Sequence, residues 1–511
     1  MKGSARFTAM GGAFGALGGD MSSFMINPAG VGVYRSSEFT FSTGIFNSNQ
    51  KIDYDGYRTF DGHTSVNVGN AGTVFTFKPK GDATFKNFNF GLSYNRVNDF
   101  NSNISLVGSE GGTSMMDVFK AGVNGQIKTG VTTSAAGTLE GEYRYLNTSD
   151  LKHKLAWMNY LLDVDKVDQN NPNADQYYVP LDATDKVRPF QVAEVRGFKD
   201  VVNLAFGTNV YDLVYFGTSL NISNVNYHSQ YTYSEEAASN NVSDFRFFNF
   251  DQYYDAYGTG VSLSVGAILK PIQELRIGIS YESPTWLYMD ESYSASMNSN
   301  YRTNGDASDL RQTSYRINTP QRVTGSIAAV LGGSFILSAD VDWLNYDGML
   351  MKTKDAGDWS IIDTKRYDSQ INGYIQNDFR NTINVRVGAE MKLDKFALRV
   401  GYQRYKNPYM DGIVTDHPVS FYSLPGSTGG WNNQGGTGLN KPTNVYSAGF
   451  GYRTRSFFLD FAYSLMTMKD SYSLYDYLGT DSYGNKYDIY SGTATSNINR
   501  NSYILTLGFK F

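Results

Sequence analysis

The sequence predicts an all-β fold, a fourteen-stranded (14-stranded) antiparallel transmembrane β-barrel with an N-terminal hatch folded into its lumen. Three observations predict it. Apolar residues alternate with small or polar ones over many stretches of about ten residues. Short and long connections between those stretches alternate along the chain. The composition favours strands: of 511 residues, 39 are Tyr, 32 Phe and 52 Gly, with only 12 Pro, a mixture rich in strand formers and poor in helix formers.

The bulk numbers also exclude classes. Charged residues are 18% of the chain, below the usual share of about a quarter in globular proteins. No run of about 18 apolar residues occurs, so no transmembrane helix is expected. A barrel escapes that test because its hydrophobicity averages away along each strand. The absence of cysteine rules out disulfides and thiolate metal sites. A net charge of −5 gives no nucleic-acid footprint. The opening residues Met1-Lys2-Gly3-Ser4 lack the apolar stretch of a secretory signal. For an exported barrel, this start is expected to be a mature form or one placed too late.

The closing segment shows the alternation best. Tyr503, Leu505, Leu507, Phe509 and Phe511 share one face, and Ile504, Thr506, Gly508 and Lys510 the other. A last strand ending on an aromatic resembles the signal read by barrel-assembly machinery, which makes Phe511 the expected contact with that partner. Before it, Phe457 to Leu465, Tyr446 to Tyr452, Phe396 to Tyr402 and Ile383 to Met391 repeat the pattern. Apolar residues out and polar or small residues in is the arrangement of a barrel in lipid. Fourteen such segments lie near 36–46, 70–78, 85–95, 200–210, 213–223, 258–269, 274–283, 315–330, 333–345, 380–392, 395–404, 443–453, 456–467 and 498–511. Six connections between them are short. The other seven run from about twenty to about one hundred residues, as expected of periplasmic turns and extracellular loops. An even count places both chain ends on the periplasmic side.

The largest loop, about 97–199, contains helical spacing. Leu151, Leu155, Met158 and Leu162 fall on one face, with Trp157 beside them. Two readings stand: a loop helix packed on the barrel mouth, or an apolar landing site that captures a hydrophobic ligand. Inward positions carry ionisable residues of both signs, among them Arg386, Glu390 and Arg399. They are expected to form a salt-bridge network holding the hatch, the alternative being a carboxylate-binding site. The histidines at 63, 153, 228 and 417 lie singly. Neither metal-ligand spacing nor a nucleophile–base arrangement appears, so no catalytic residue, metal or cofactor is expected and the chain reads as a non-enzyme.

The first 35 residues do not alternate. Gly11 to Asp20 is rich in glycine and alanine, suited to a segment threaded through a narrow lumen. No Lys-Ser/Thr follows the glycines, which removes a phosphate loop. Hatch and barrel are therefore divided as 1–35 and 36–511. The segment Ala9-Met10-Gly11-Gly12-Ala13-Phe14, then Asp20, then Asn27-Pro28-Ala29-Gly30, resembles the hatch of the FadL family, the long-chain fatty-acid and aromatic-hydrocarbon transporters of the Gram-negative outer membrane. The resemblance covers the hatch closely and the barrel by architecture. The long second loop departs from it.

The resemblance implies transport of a hydrophobic small molecule such as a fatty acid. Loops capture it, the hatch moves, and the molecule leaves sideways into outer-membrane lipid beside an inward kink in the third strand. It implies a hatch motif at Asn27, Pro28 and Ala29, near that kink. Gly91, inside the third segment, is the candidate for the lateral opening, since strand glycines often mark bends. Relief of crowding against the hatch is the other reading of Gly91. A second functional expectation is a surface binding or assembly protein on the same scaffold, with a protein, glycan or haem partner at the extracellular loops.

Overall fold

The computed structural model describes residues 3–80, 84–123, 148–166, 176–308, 310–353, 369–409, 441–480 and 486–511. Fourteen antiparallel strands close into one barrel. They are β1 Glu38–Tyr54, β2 Tyr57–Phe77, β3 Phe85–Asp99, β4 Val187–Val210, β5 Val214–Ala237, β6 Phe247–Leu269 and β7 Leu275–Glu282. The second half is β8 Gln321–Leu331, β9 Phe335–Asn345, β10 Thr382–Leu393, β11 Phe396–Tyr405, β12 Thr443–Arg453, β13 Phe457–Ser473 and β14 Thr493–Lys510. Each strand pairs with its sequence neighbours, and β1 pairs with both β2 and β14, leaving no open edge around the ring. Five further ladder segments continue these strands on the loop side, including Ser102–Val107 beyond β3 and Trp286–Ser299 beyond β7.

The alternation reads directly as inside and outside. On β14, Tyr503, Leu505, Leu507 and Phe509 are exposed while Ile504 and Thr506 are buried. Toward the turn side, phenylalanines form a girdle in which Phe457 and Phe509 lie 5.4 Å apart and Phe396 packs on Phe450 at 5.6 Å. Toward the loop side the rings are tyrosines, Tyr463 on Tyr503 and Tyr402 on Tyr446, each pair at 5.3 Å. Phe511 to Tyr503 spans roughly 20 Å of height at ~3.3 Å per residue and a tilt of ~40°. An outward band of that height fits the hydrocarbon of an outer membrane. Among the described residues no helix is long and apolar enough to cross a membrane.

Fourteen expected segments correspond to fourteen strands, but their lengths differ. The first loop, expected near 47–69, is instead a continued hairpin closed by Asp55-Gly56, both at positive φ. Asp-Gly is the pair a two-residue type I′ turn requires. β5 and β6 likewise run past the apolar band to a connection at 238–246. Alternation signals only the lipid-facing stretch. Above it the outward face meets water instead of lipid, so the backbone ladder persists without an apolar outward row to mark it. The 97–199 loop shrinks for the same reason, because β3 continues through Ser102–Val107 and β4 begins at Val187.

Residues 3–37 fill the turn-side half of the lumen. They form a short helix α1 (Ala5–Ala9) and two 3-10 turns, Met21–Met25 and Pro28–Val33, almost all fully buried. Wall glycines make the fit possible. A Cβ on Gly401 would stand 2.1 Å from the Gly11 nitrogen, and one on Gly388 would stand 2.3 Å from the Met10 carbonyl oxygen. The hatch backbone therefore lies against bare strand backbone, closer than any side chain permits.

Candidate functional site

The hatch is held differently on its two sides. Against β10 the hatch makes an ion pair through Arg6, set in a network of wall charges on β9, β10, β11 and β13. Arg6 reaches Glu390 at 2.9 Å, Arg399 reaches Glu390 and Asp460 at 2.6 Å each, and Arg386 bridges Asp342 at 2.6 Å and Asp340 at 3.3 Å. Asp340 also accepts the Gly15 N–H at 3.1 Å. Arg386, Glu390 and Arg399 are thus brought together with the hatch, all at most 4% exposed. Arg6 is the member the sequence left unidentified, since nothing in Ala5-Arg6-Phe7 announces an inward partner. Two guanidiniums share one carboxylate, so each charge is paired and hydrogen-bonded, the condition under which burial is tolerated.

On the opposite side no buried ion pair joins hatch and wall among the described residues; Arg276 of β7 donates to the Leu17 carbonyl at 2.9 Å, and the contacts of Asn27 are neutral. Asn27 caps the Pro28–Val33 turn by accepting the Ala29 N–H at 3.0 Å. Its amide donates to the Gly15 carbonyl at 2.7 Å and to wall carbonyls of Ala267 and Ile279 at 3.2 and 3.4 Å. Pro28 and Ala29 lie over Gly217 of β5. Asn27, Pro28 and Ala29 therefore seat against β5, β6 and β7, not against β3. The hatch residues that meet β3 are Phe24 and the stretch Val31–Tyr34, whose carbonyls accept from Asn87 and Asn89.

Gly91 lies in an unbroken part of the wall, paired with Val74 on β2 and Ala205 on β4. A Cβ there would meet the Phe24 ring at 2.7 Å. The strand irregularity is higher. β2 and β3 pair only from Phe77↔Phe88 to Asn70↔Asn95. Beyond that point β2 pairs with β1 alone, and β3 shifts register at Arg96/Asn98 and pairs with β4 alone. Arg96 belongs to the outward set of β3, with Phe90 and Leu92, yet it donates to Asn67 at 3.0 Å. Asn67 is opposite Gly44, two positions from the inward Phe46, and so faces the lumen. The upper part of β3 has moved to the inner side of β2.

Side chains bridge the interrupted ladder. Asp99 accepts from Asn67 at 2.7 Å and from Ser65 at 2.9 Å, and Asp61 accepts the Ser105 N–H at 2.7 Å. Arg96 pairs with Asp200 at 2.9 Å, its guanidinium 4.4 Å from the centre of the Phe198 ring. Bonds to a carboxylate are worth about 1.5–3 kcal/mol each, but they are a few separate contacts rather than a continuous backbone ladder. Sequence reasoning missed this break because Arg96-Val97-Asn98 on β3 carries no glycine or proline, and the matching irregularity on β2, at Gly69, fell in a stretch read as loop.

The lumen on the loop side of the break is apolar. Ala193, Val195 and Tyr231 pack with Phe100, Ile104 and Tyr227. Tyr227 also joins Leu287, Met289, Tyr315 and Met351, and Ile104 joins a larger cluster at the mouth. Directly below the break the lining turns polar. Asn70 donates to Asn95 at 2.7 Å, Asn95 to Asn203 at 2.9 Å, Asn203 to Asn221 at 2.7 Å, and Asn221 to Ser264 at 2.8 Å. This amide shelf runs across five strands between the apolar shaft and the hatch. Each asparagine is readable as an inward position of its own strand, but their line-up depends on register.

The mouth is capped. Helices α2 (Met115–Val123) and α3 (Thr148–Met158) pack on Tyr54, Tyr233, Phe248 and Phe250. Leu151, Leu155 and Leu162 are buried in that cluster, while Trp157 and Met158 are half-buried, Trp157 edge-on to Tyr177 at 6.4 Å. These residues face their own barrel mouth rather than solvent. Glu235 holds the start of α2, accepting from the Ser114 hydroxyl and from the Met115 N–H at 2.7 Å. Burial pushes its carboxyl up to about 7. Of the histidines, His228 pairs with Asp255 on the outward face, His153 packs on Phe119, His63 sits on β2, and His417 lies outside the described residues. Among the described residues no group of three acidic or histidine side chains is placed to hold a metal ion.

No family model and no curated protein matches the chain. Solved structures do. The P. putida toluene transporter TodX aligns at 10% identity with a TM-score of 0.51, covering 99% of this chain and 98% of its own. A FadL homologue of Pseudomonas aeruginosa aligns at 13% identity with a TM-score of 0.55, covering 100% and 99%. At such identities the likeness speaks for architecture, and it extends over the whole length of both chains. The chain therefore shares the fold of these two structures, here a fourteen-strand ring with its N-terminal segment plugging the lumen.

Proposed function

We propose that this chain is an outer-membrane transporter of a Gram-negative cell that carries hydrophobic compounds from the cell surface into the bilayer. The observation that carries the proposal is the inward displacement of β3 above Asn95, which opens the backbone ladder of the wall beside an apolar shaft. A fatty acid or aromatic hydrocarbon entering beneath the cap loses contact with water, and each buried CH₂ contributes about 0.8 kcal/mol. The amide shelf opposes further descent, because an apolar molecule offers its groups no hydrogen bonds. Exit between β2 and β3 leads into hydrocarbon and avoids a second passage through water. The toluene transporter and the FadL homologue named above share this fold.

The test uses the cysteine-free background. Ser65→Cys with Asp99→Cys places thiols where a hydrogen bond of 2.9 Å now bridges the break. Cells carrying the reduced variant are expected to take up oleate or toluene, to lose uptake on oxidation, and to recover it with reductant. Unchanged uptake by the oxidised, cross-linked protein overturns the lateral route. Uptake by the parent chain no greater than that of an empty vector overturns transport itself.

A further inference from the structure

We infer that the outward face of β13, β14 and β1, above the tyrosine girdle, is a docking surface for the phosphorylated saccharide headgroup of an outer-leaflet glycolipid. Register puts these outward positions in horizontal rows. The row of Tyr463, Tyr503 and Ile45 closes the apolar belt. The next row brings Asn501 and Asn47 side by side, with Leu465 of β13 still apolar, and the one above it is Thr467, Asn499 and Asn49. The fourth row is Lys469, Asn497 and Lys51. On β14 and β1 the chemistry changes within one step from apolar to amide, on β13 within two, and the fourth row adds the cations. From Tyr503 to Asn497 is roughly 15 Å of height at ~3.3 Å per residue and ~40° of tilt. That depth is the headgroup layer rather than bulk water, provided that the belt lies in an outer membrane, the reading on which this inference rests.

The match is one of charge and hydrogen bonding. An amide both donates and accepts, as a sugar hydroxyl does, and it does so without net charge. The amides are held in place by partial mutual bonding. Tyr463 donates to Asn501 at 2.8 Å, Asn49 to Asn47 at 2.6 Å, and Asn47 to Thr64 at 2.8 Å. None of the four rows contains a carboxylate on these strands. One step higher, Asp53 is shared by Lys51 at 3.6 Å and Arg58 at 2.5 Å, so the crown remains net positive in a chain of net charge −5. An ammonium is a compact point charge suited to phosphate. Tyrosine rings beneath it suit the boundary between acyl chain and headgroup.

The experiment is native mass spectrometry of the purified chain in mild detergent, titrated with a bisphosphorylated rough lipopolysaccharide and, separately, with phosphatidylglycerol. The parent is expected to retain one lipopolysaccharide. Lys51→Gln with Lys469→Gln, and Asn49→Ala with Asn499→Ala, are each expected to weaken its apparent affinity about fivefold. The quadruple variant is expected to weaken it more than tenfold, with phosphatidylglycerol binding unchanged. Heat-modifiable migration on gels confirms that each barrel is folded. Undiminished lipopolysaccharide binding by the quadruple variant overturns the proposal. So does an equal loss for both lipids, or a variant-sensitive dimer showing that a second copy covers this face. Membrane fractionation reports separately on the reading beneath it, since a chain recovered outside the outer membrane overturns that reading and not merely the surface.

Discussion

Glu390 is the shared acceptor of Arg6 and Arg399, and its removal tests how the hatch is closed. Glu390→Gln keeps the volume and one acceptor but removes the charge. Arg399 retains Asp460 at 2.6 Å, whereas Arg6 keeps contacts within the hatch, a 3.3 Å bond to the Gly19 carbonyl oxygen and the Phe14 ring at 5.2 Å. Breaking a buried pair by deleting one partner costs about 3–5 kcal/mol. The barrel ladder does not depend on this pair, so the cost falls on the closed position of α1. At a factor of ten per ~1.4 kcal/mol, the opening equilibrium rises roughly a hundredfold to a few thousandfold. Thr8→Cys supplies the probe, because Thr8 is 3% exposed and its hydroxyl lacks a hydrogen-bond partner. In the cysteine-free chain, maleimide labelling at that thiol follows the open fraction when reclosing is fast. The control is Arg35→Gln, which breaks an exposed pair with Asp212 and is worth at most ~1 kcal/mol. Labelling of Glu390→Gln within fivefold of the Arg35→Gln control refutes the ionic clamp.

Two further outcomes follow from the same geometry. Gly401→Val places side-chain atoms against Gly11 and is expected to exclude the hatch from its seat, giving fast labelling at Thr8→Cys in a barrel that still migrates as folded; slow labelling would show that β11 yields instead. At the cap, well above the apolar belt, Glu235 has its folded pKa raised to about 7, against an ordinary value of 4.5. A raised carboxyl favours the packed state when protonated, so packing of α2 is strongest below about pH 4.5, weakens between 4.5 and about 7, and levels off above that. Hydrogen exchange of Met115–Val123 is expected to quicken over that window, and Glu235→Gln is expected to flatten the profile; an unchanged slope in the variant assigns the pH dependence elsewhere.

Much of the architecture was legible because a lipid-facing strand must write its orientation into every second residue. Tyr503 to Phe511 shows this without reference to any other strand. Gly11 to Asp20 declared a segment of small side chains, whereas Asn27-Pro28-Ala29 was legible only as a hatch motif by resemblance and its capped turn came from the structure. The inward charges Arg386, Glu390 and Arg399 were legible as a network, though not their pairings. The extended hairpin at Asp55-Gly56 carried a readable turn signal, yet its flanking strands leave the membrane and lose the alternation that marked the others.

Tertiary structure alone decided what lies across from what. The seat of Asn27 on β5 to β7, the Phe24 ring over Gly91, and the line of Asn70, Asn95, Asn203 and Asn221 all depend on register between strands separated by up to about a hundred residues of chain. The break in the wall is the sharpest case. Its cause is one extra residue in β3 beside one in β2, and a bulge is a relation between two strands rather than a property of either. Sequence by itself determined the ring, its inside and outside, and the presence of a plug, because those follow from the solvent on each face. Where the ring gives way is set by a mismatch in pairing, for which a single strand carries no periodic record.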